Sequence, residues 1–203
     1  MDIEQAELHF KKVDKTLHKA LLKHKHELTP RTVLRTNQQL FEALCESVVS
    51  QQLAVKAADA IWARVVKACG GKVTPEKIRT IPLARLRACG LSNAKAKTLK
   101  AVAKEMRNGL SLTSLRKKTP EEAQEALTKI WGIGPWTCEM FLMFALSHPD
   151  IFSSRDLGLV RAMEGLYKLP RTTPREKLEV IAQKWSPHRT LACRILWKSR
   201  DSK

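Results

Sequence analysis

A chain of 203 residues is long enough for one hydrophobic core or for two small ones sharing a cleft, and a hydrophobic content of 43% excludes disorder as its default state. Lys and Arg outnumber Asp and Glu by 37 to 20, a formal net charge of +17, so the expected partner is a polyanion. No apolar run is long enough to span a bilayer, which puts nucleic acid ahead of lipid and implies no membrane partner.

In chain order, the first predicted element is a basic helix over about residues 4–26, suited to packing, to DNA binding or to both. Leu40, Phe41, Leu44 and Val48 then recur at helical spacing, and Leu53, Ala57, Ile61 and Val65 repeat the pattern. Four Thr-Pro pairs announce helix starts: Thr29-Pro30, Thr74-Pro75, Thr119-Pro120 and Thr173-Pro174. The threonine oxygen accepts an orphan N–H, and proline needs no donor at the first helical position. In the last two, Glu122 and Glu176 stand three residues beyond the threonine, the spacing of a capping box. Only "GGKVT" has extended character, and it is too short to found a sheet. The expectation is an all-α fold of about ten helices with short connections.

Cysteines stand at 45, 69, 89, 138 and 193, odd in number and without a C-x-x-C pair. That pattern indicates neither a disulfide framework nor a zinc site, and it fits a reducing compartment. The first residues lack an apolar signal core, so the chain is expected to be intracellular, cytoplasmic in a prokaryote or nuclear in a eukaryote.

The stretch "KIWGIGPWTCEMF" (129–141) concentrates the punctuation. A helix over 120–130 is followed by Gly132 and Gly134, which permit backbone angles that other residues resist. Pro135 opens a second helix over 135–147, with Met140, Phe141 and Phe144 on its apolar face. The start of that helix offers free N–H groups and a positive dipole end, a ready phosphate site.

Helix, glycine hairpin, helix resembles the helix-hairpin-helix motif of the DNA glycosylase superfamily, with Trp131 where that family usually has proline. "ESVVSQQLAVKAADAIWARV" (46–65) resembles the family's plug-bearing stretch, and "CGLSNAKAKTLKAVA" (89–103) its Gly-Leu-Ser-x-x-Lys segment. "FSSRDLGLVRAM" (152–163) resembles its catalytic Asp loop, and "WSPHRTLACRILW" (185–197) its C-terminal helix. These segments run in the family's order from about residue 36 to 200. They are most similar to the 3-methyladenine DNA glycosylase II type, in a short form without an N-terminal β domain.

The resemblance implies two helical lobes with a DNA-binding cleft between them. One covers 36–147 and carries the hairpin (about 120–147); the other comprises 1–35 plus 148–203. It implies that Asp156 is the catalytic acid and that Trp136, Trp197 and Met140 line the base pocket. The backbone amides of Gly132, Ile133 and Gly134 would grip a DNA phosphate, with Gln52 as plug, Gln51 in its turn, and Lys95 and Arg189 as further DNA contacts. The carbonyls of Thr128, Ile130 and Gly132 would hold a monovalent cation, Na+ or K+. No cofactor is required: only Cys193 lies where iron–sulfur relatives cluster four cysteines. Relatives that also cut the strand have a lysine where this chain has Trp136, so the expected enzyme is monofunctional. The implied substrate is double-stranded DNA containing alkylated bases, chiefly 3-methyladenine, with 7-methylguanine beside it, and the implied state is a monomer.

The chemistry suits these residue types. Breaking an N-glycosidic bond builds positive charge on the deoxyribose, which a fixed carboxylate stabilises. An alkylated purine already carries positive charge, so it leaves without a strong general acid, and aromatic faces attract it. Asp156 opens the segment "DLGLVRAMEGL", where the helix dipole favours the ionised form. An ordinary N-cap aspartate would look the same. Trp197 on an apolar face reads as core as well as pocket, Lys95 as a solvated lysine, and Arg189 as a brace. Leu53 is expected to be buried, and Glu139 to lie at the surface or in a salt bridge. Asp150, in the same loop as Asp156, is the less expected acid. Two alternatives remain open: a glycosylase for a neutral lesion such as hypoxanthine or uracil, and a non-catalytic helix-hairpin-helix DNA-binding module.

Overall fold

The computed structural model describes residues 3–28, 34 and 36–201, the last by its backbone alone. Twelve α-helices and two 3-10 turns form among them, with no strand. In order they are α1 (Ile3–Val13), α2 (Lys15–His24), a 3-10 turn (Lys25–Glu27), α3 (Asn37–Ser50), α4 (Val55–Ala68), α5 (Pro75–Thr80), α6 (Leu83–Ala88) and α7 (Asn93–Arg107). A second 3-10 turn (Ser114–Lys117) precedes α8 (Pro120–Thr128), α9 (Pro135–Phe144), α10 (Leu157–Tyr167), α11 (Arg175–Gln183) and α12 (Arg189–Asp201). None of these helices is long and apolar enough to cross a membrane. The chain divides into two compact units, Met1–Thr32 with Ser147–Lys203, and Val33–Leu146.

The Val33–Leu146 unit is arranged around α7, which packs against α3, α5 and α6 and buries Ala96, Leu99, Val102 and Ala103. Thr36 and Gln39 form a capping box at the start of α3, whose Leu40, Phe41, Leu44 and Val48 are wholly buried. Thr74 caps α5 and Thr119 caps α8 with Glu122 completing the box, both with proline at the first position. Leu53 departs from the expected periodicity. Helix α4 begins only at Val55, after a turn in which Gln52 takes a φ of 55°, so Leu53 belongs to the turn and is 39% exposed. Glu139 is buried, because α9 packs nearly all round its circumference, from Thr137 to Met143.

Both hairpin helices are shorter than the sequence suggests. Helix α8 stops at Thr128, where the N–H of Ile130 tightens to the carbonyl of Leu127 at 3.0 Å. Helix α9 stops at Phe144: the N–H groups of Ala145 and Leu146 both close on the carbonyl of Phe141, and Ser147 turns left-handed (φ 58°).

In the other unit, the single N-terminal helix expected over 4–26 is two helices. Asp14 breaks it by capping α2, accepting the N–H of Leu17 at 2.9 Å on Oδ1. Its Oδ2 accepts the Tyr167 hydroxyl at 2.7 Å and the Trp185 indole N–H at 2.9 Å. Trp185 is fully buried, stacked on Tyr167 and edge-on to Phe152, so the α1–α2 pair is fastened to the core beneath the 148–156 loop. The capping box expected at Thr173 does not form. Pro174 is the N-cap of α11, and the Thr173 hydroxyl donates back to the Pro170 carbonyl at 2.6 Å. The Thr29-Pro30 start lies outside the described residues.

Candidate active site

The hairpin between α8 and α9 is shaped by close approach as much as by backbone freedom. Gly132 has a φ of 84°, and a Cβ there would overlap the Thr98 hydroxyl and lie 2.9 Å from Thr98 Cβ. The hairpin therefore rests directly on α7. Gly134 is extended as the N-cap of α9, and Pro135 starts the helix. The N–H of Ile133 is used inside the turn, on the Ile130 carbonyl at 3.0 Å, and its side chain is buried. The amides of Gly132 and Gly134 bond to no other described residue, so they are the donors this hairpin can offer an anion.

The α3–α4 turn is tied to this hairpin. Gln51 donates its amide to the Thr137 hydroxyl at 2.8 Å and to the Gly132 carbonyl at 3.4 Å. Lys95 is occupied from beneath: its ammonium donates to the carbonyls of Val49 at 2.8 Å and Gln51 at 2.6 Å. Burial lowers its pKa, and the cation neutralises the C-terminal end of α3. Lys95 thus reads as a staple that shapes the turn rather than as a phosphate contact. Gln52, at the tip, is exposed. On α9, Trp136 is half-buried, and Met140, one turn further, is 7% exposed.

In the other unit, Asp156 is the N-cap of α10 and half-buried. Its Oδ1 accepts the N–H of Leu159 at 2.8 Å and the indole N–H of Trp197 at 3.1 Å. Trp197 comes from α12, which packs along α10. A Cβ at Gly158 would lie 2.9 Å from Asp156 Oδ1, 3.0 Å from Arg200 Nη1 and 3.2 Å from Trp197 Nε1. The absent side chain leaves room for all three groups.

The neighbouring acid has a different task. Asp150 accepts Arg189 Nε at 2.8 Å, Arg189 Nη2 at 3.0 Å and the Ser186 hydroxyl at 2.7 Å. Burial raises its pKa, but Arg189 and Ser186 outweigh that and leave the carboxyl below its ordinary value. Arg189 is accordingly a brace of the loop, not a side chain extended towards a phosphate. Thr190 completes the brace, donating to the His148 carbonyl at 2.7 Å and accepting the N–H of Ile151 at 3.0 Å.

Sequence reasoning placed Trp197 in a base pocket and missed its bond to Asp156. It also passed over Gly158 and Arg200. The available signal was Gly158 itself, a helix-weakening residue with no turn to explain it.

Comparisons with known proteins place the whole chain. Residues 45–188 match the family model described as HhH-GPD superfamily base excision DNA repair protein. The chain belongs to that superfamily. It is 34% identical over 201 residues to DNA-3-methyladenine glycosylase 1 of Schizosaccharomyces pombe, a match covering 97% of this chain and 87% of the relative. The solved complex of the S. pombe 3-methyladenine DNA glycosylase with abasic DNA superposes with a TM-score of 0.83 at 33% identity, covering 96% of this chain and 95% of that one. The DNA-3-methyladenine glycosidase of Bacillus halodurans superposes with a TM-score of 0.77 at 32% identity, covering 94% and 86%. Membership in this superfamily makes the all-α chain a base-excision DNA repair fold.

Proposed function

We propose that this protein is a monofunctional DNA glycosylase that everts alkylated purines from double-stranded DNA and hydrolyses their N-glycosidic bonds, 3-methyladenine first and 7-methylguanine beside it. The observation that carries the reading is the fixed carboxylate of Asp156, held by two N–H donors on one oxygen at the start of α10. Superfamily membership supplies the DNA substrate.

In this mechanism the amides of Gly132 and Gly134 grip a backbone phosphate, and Gln52 fills the gap left by the everted nucleotide. Trp136 and Met140 offer an aromatic and a polarisable surface to the cationic base. As the glycosidic bond lengthens, positive charge grows on the sugar, and the Asp156 carboxylate stabilises it and orients the attacking water. The donors on Oδ1 keep the carboxylate from rotating away. With tryptophan at 136 instead of a lysine, no Schiff base forms and the product is an intact abasic strand. The enzyme acts as a monomer in the compartment that holds the genome.

The carbonyls of Thr128, Ile130 and Gly132 fit a monovalent cation, Na+ or K+. They are neutral oxygens, that of Thr128 at the end of α8 and those of Ile130 and Gly132 in the hairpin beyond it, where each of the latter two accepts one hydrogen bond and retains a second lone pair. A bound cation would neutralise the helix end and stiffen the hairpin.

The test is release of free bases from methylated duplex DNA, resolved by chromatography. Wild type should release 3-methyladenine. Asp156→Asn should lose roughly 10³-fold in rate while keeping its affinity for an abasic duplex. Undiminished release by that variant would move the catalyst elsewhere; release of hypoxanthine or uracil alone would reassign the substrate.

A further inference from the structure

We infer that Arg200 is a substrate-binding residue: its guanidinium holds one of the two backbone phosphates flanking the sugar that Asp156 serves. The inference deepens the proposed glycosylase reading and rests on it.

Three observations converge. Trp197 and Arg200 are three residues apart on α12 and therefore share a face. Both reach the same spot on α10, since Arg200 Nη1 and Trp197 Nε1 lie 3.0 and 3.2 Å from the point where a Gly158 Cβ would stand, with Asp156 Oδ1 2.9 Å from that point. The guanidinium is thus beside the carboxylate, whose Oδ1 accepts two neutral donors, the Leu159 N–H and the Trp197 indole.

The third observation is that Arg200 is exposed and makes no hydrogen bond or ion pair with any described residue. Its neighbours differ. Lys198 pairs with Glu27 at 3.6 Å, Arg189 with Asp150 at 2.8 Å and Arg161 with Glu164 at 2.6 Å. A planar cation held next to the reacting carboxylate, and not spent within the protein, is matched to a phosphate that it can bind by two parallel hydrogen bonds. The need is electrostatic as well. Seating a nucleotide over Asp156 brings its flanking phosphates towards a negative charge, and a fixed guanidinium offsets the repulsion.

The experiment is a charge-deletion cycle. Binding is measured by fluorescence anisotropy, at one salt concentration, to duplexes containing a tetrahydrofuran abasic analogue. The analogue is flanked by natural phosphates or by a neutral methylphosphonate on its 5′ or its 3′ side. With wild type, one of the two methylphosphonates should weaken binding about tenfold. Arg200→Gln should bind the natural duplex about tenfold more weakly and be insensitive to that methylphosphonate. Arg200→Lys should fall between. Losses that multiply, or unchanged binding by Arg200→Gln, overturn the assignment. So does an altered acid limb of the pH–rate profile with an unaltered methylphosphonate effect, which would turn the guanidinium towards Asp156 instead. Base release by wild type is followed in parallel. If no base is released, the glycosylase reading fails while the binding cycle still reports on Arg200; if release is normal and the cycle is additive, Arg200 alone is reassigned.

Discussion

The indole N–H of Trp197 meets Asp156 Oδ1 at 3.1 Å, joining the end of α12 to the first residue before α10. Two donors on one oxygen fix the plane of the carboxylate, and the tryptophan is the one that mutation can remove. Trp197→Phe keeps an aromatic ring and deletes the N–H. The expected result is a 10- to 100-fold fall in single-turnover base release with little change in abasic-duplex affinity. A fall in affinity alone, at unchanged rate, would return Trp197 to a purely stacking role.

Gly132 is constrained twice, by its φ of 84° and by the Thr98 side chain that fills the space where a Cβ would go. Gly132→Ala must therefore lift the hairpin off α7 or strain it. The expected cost is about 2–3 kcal/mol, which for a chain of this size lowers the melting temperature by roughly 5–10 °C. Undamaged-duplex affinity should fall with it. Thr98→Ala should not rescue the variant, because Thr98 Cβ itself lies 2.9 Å from the added carbon.

What could be read from the sequence was what local chemistry writes down. Thr119, Pro120 and Glu122 announce the start of α8, and Gly132, Gly134 and Pro135 announce the hairpin, because caps and backbone angles are set by neighbouring residues. Asp14 interrupts the N-terminal helix for a reason no local pattern contains: its partners Tyr167 and Trp185 are 153 and 171 positions away. Lys95 reads as a phosphate contact until the carbonyls of Val49 and Gln51 are found on its ammonium. Arg189 reads two ways until Asp150 decides between them. Leu53 misleads because periodicity alone does not reveal that Gln52 turns left-handed just before it.

The Asp150–Arg189 brace should leave a pH signature. With its folded pKa held below the ordinary carboxylate value, Asp150 stabilises the fold at pH values above its unfolded pKa of about 3.9. That contribution fades as pH falls through 3.9 and is lost once the depressed folded value is passed. Asp150→Asn removes the charge and leaves Arg189 facing a neutral amide, at an expected cost of about 2–3 kcal/mol at pH 7. Thermal melts of wild type and variant should differ clearly at pH 7 and draw together below about pH 4. A gap that stays constant across that range would mean that the brace does not depend on ionised Asp150.

Gly158 offers the sharpest separation of stability from activity. An Ala in place of Gly inside a helix usually stabilises it by about 0.5–1 kcal/mol, and Gly158 lies in α10 without the positive φ that would make Ala costly. The added Cβ, however, would stand 2.9 Å from Asp156 Oδ1 and 3.2 Å from Trp197 Nε1. The carboxylate and the indole must move apart, by a few tenths of an ångström or more, to admit it. Gly158→Ala should therefore melt within a few degrees of wild type and yet release base roughly 100-fold more slowly. Near-normal release from a well-folded Gly158→Ala would show that the reaction tolerates a displaced Asp156 carboxylate, and the positional argument for Trp197 would fall with it.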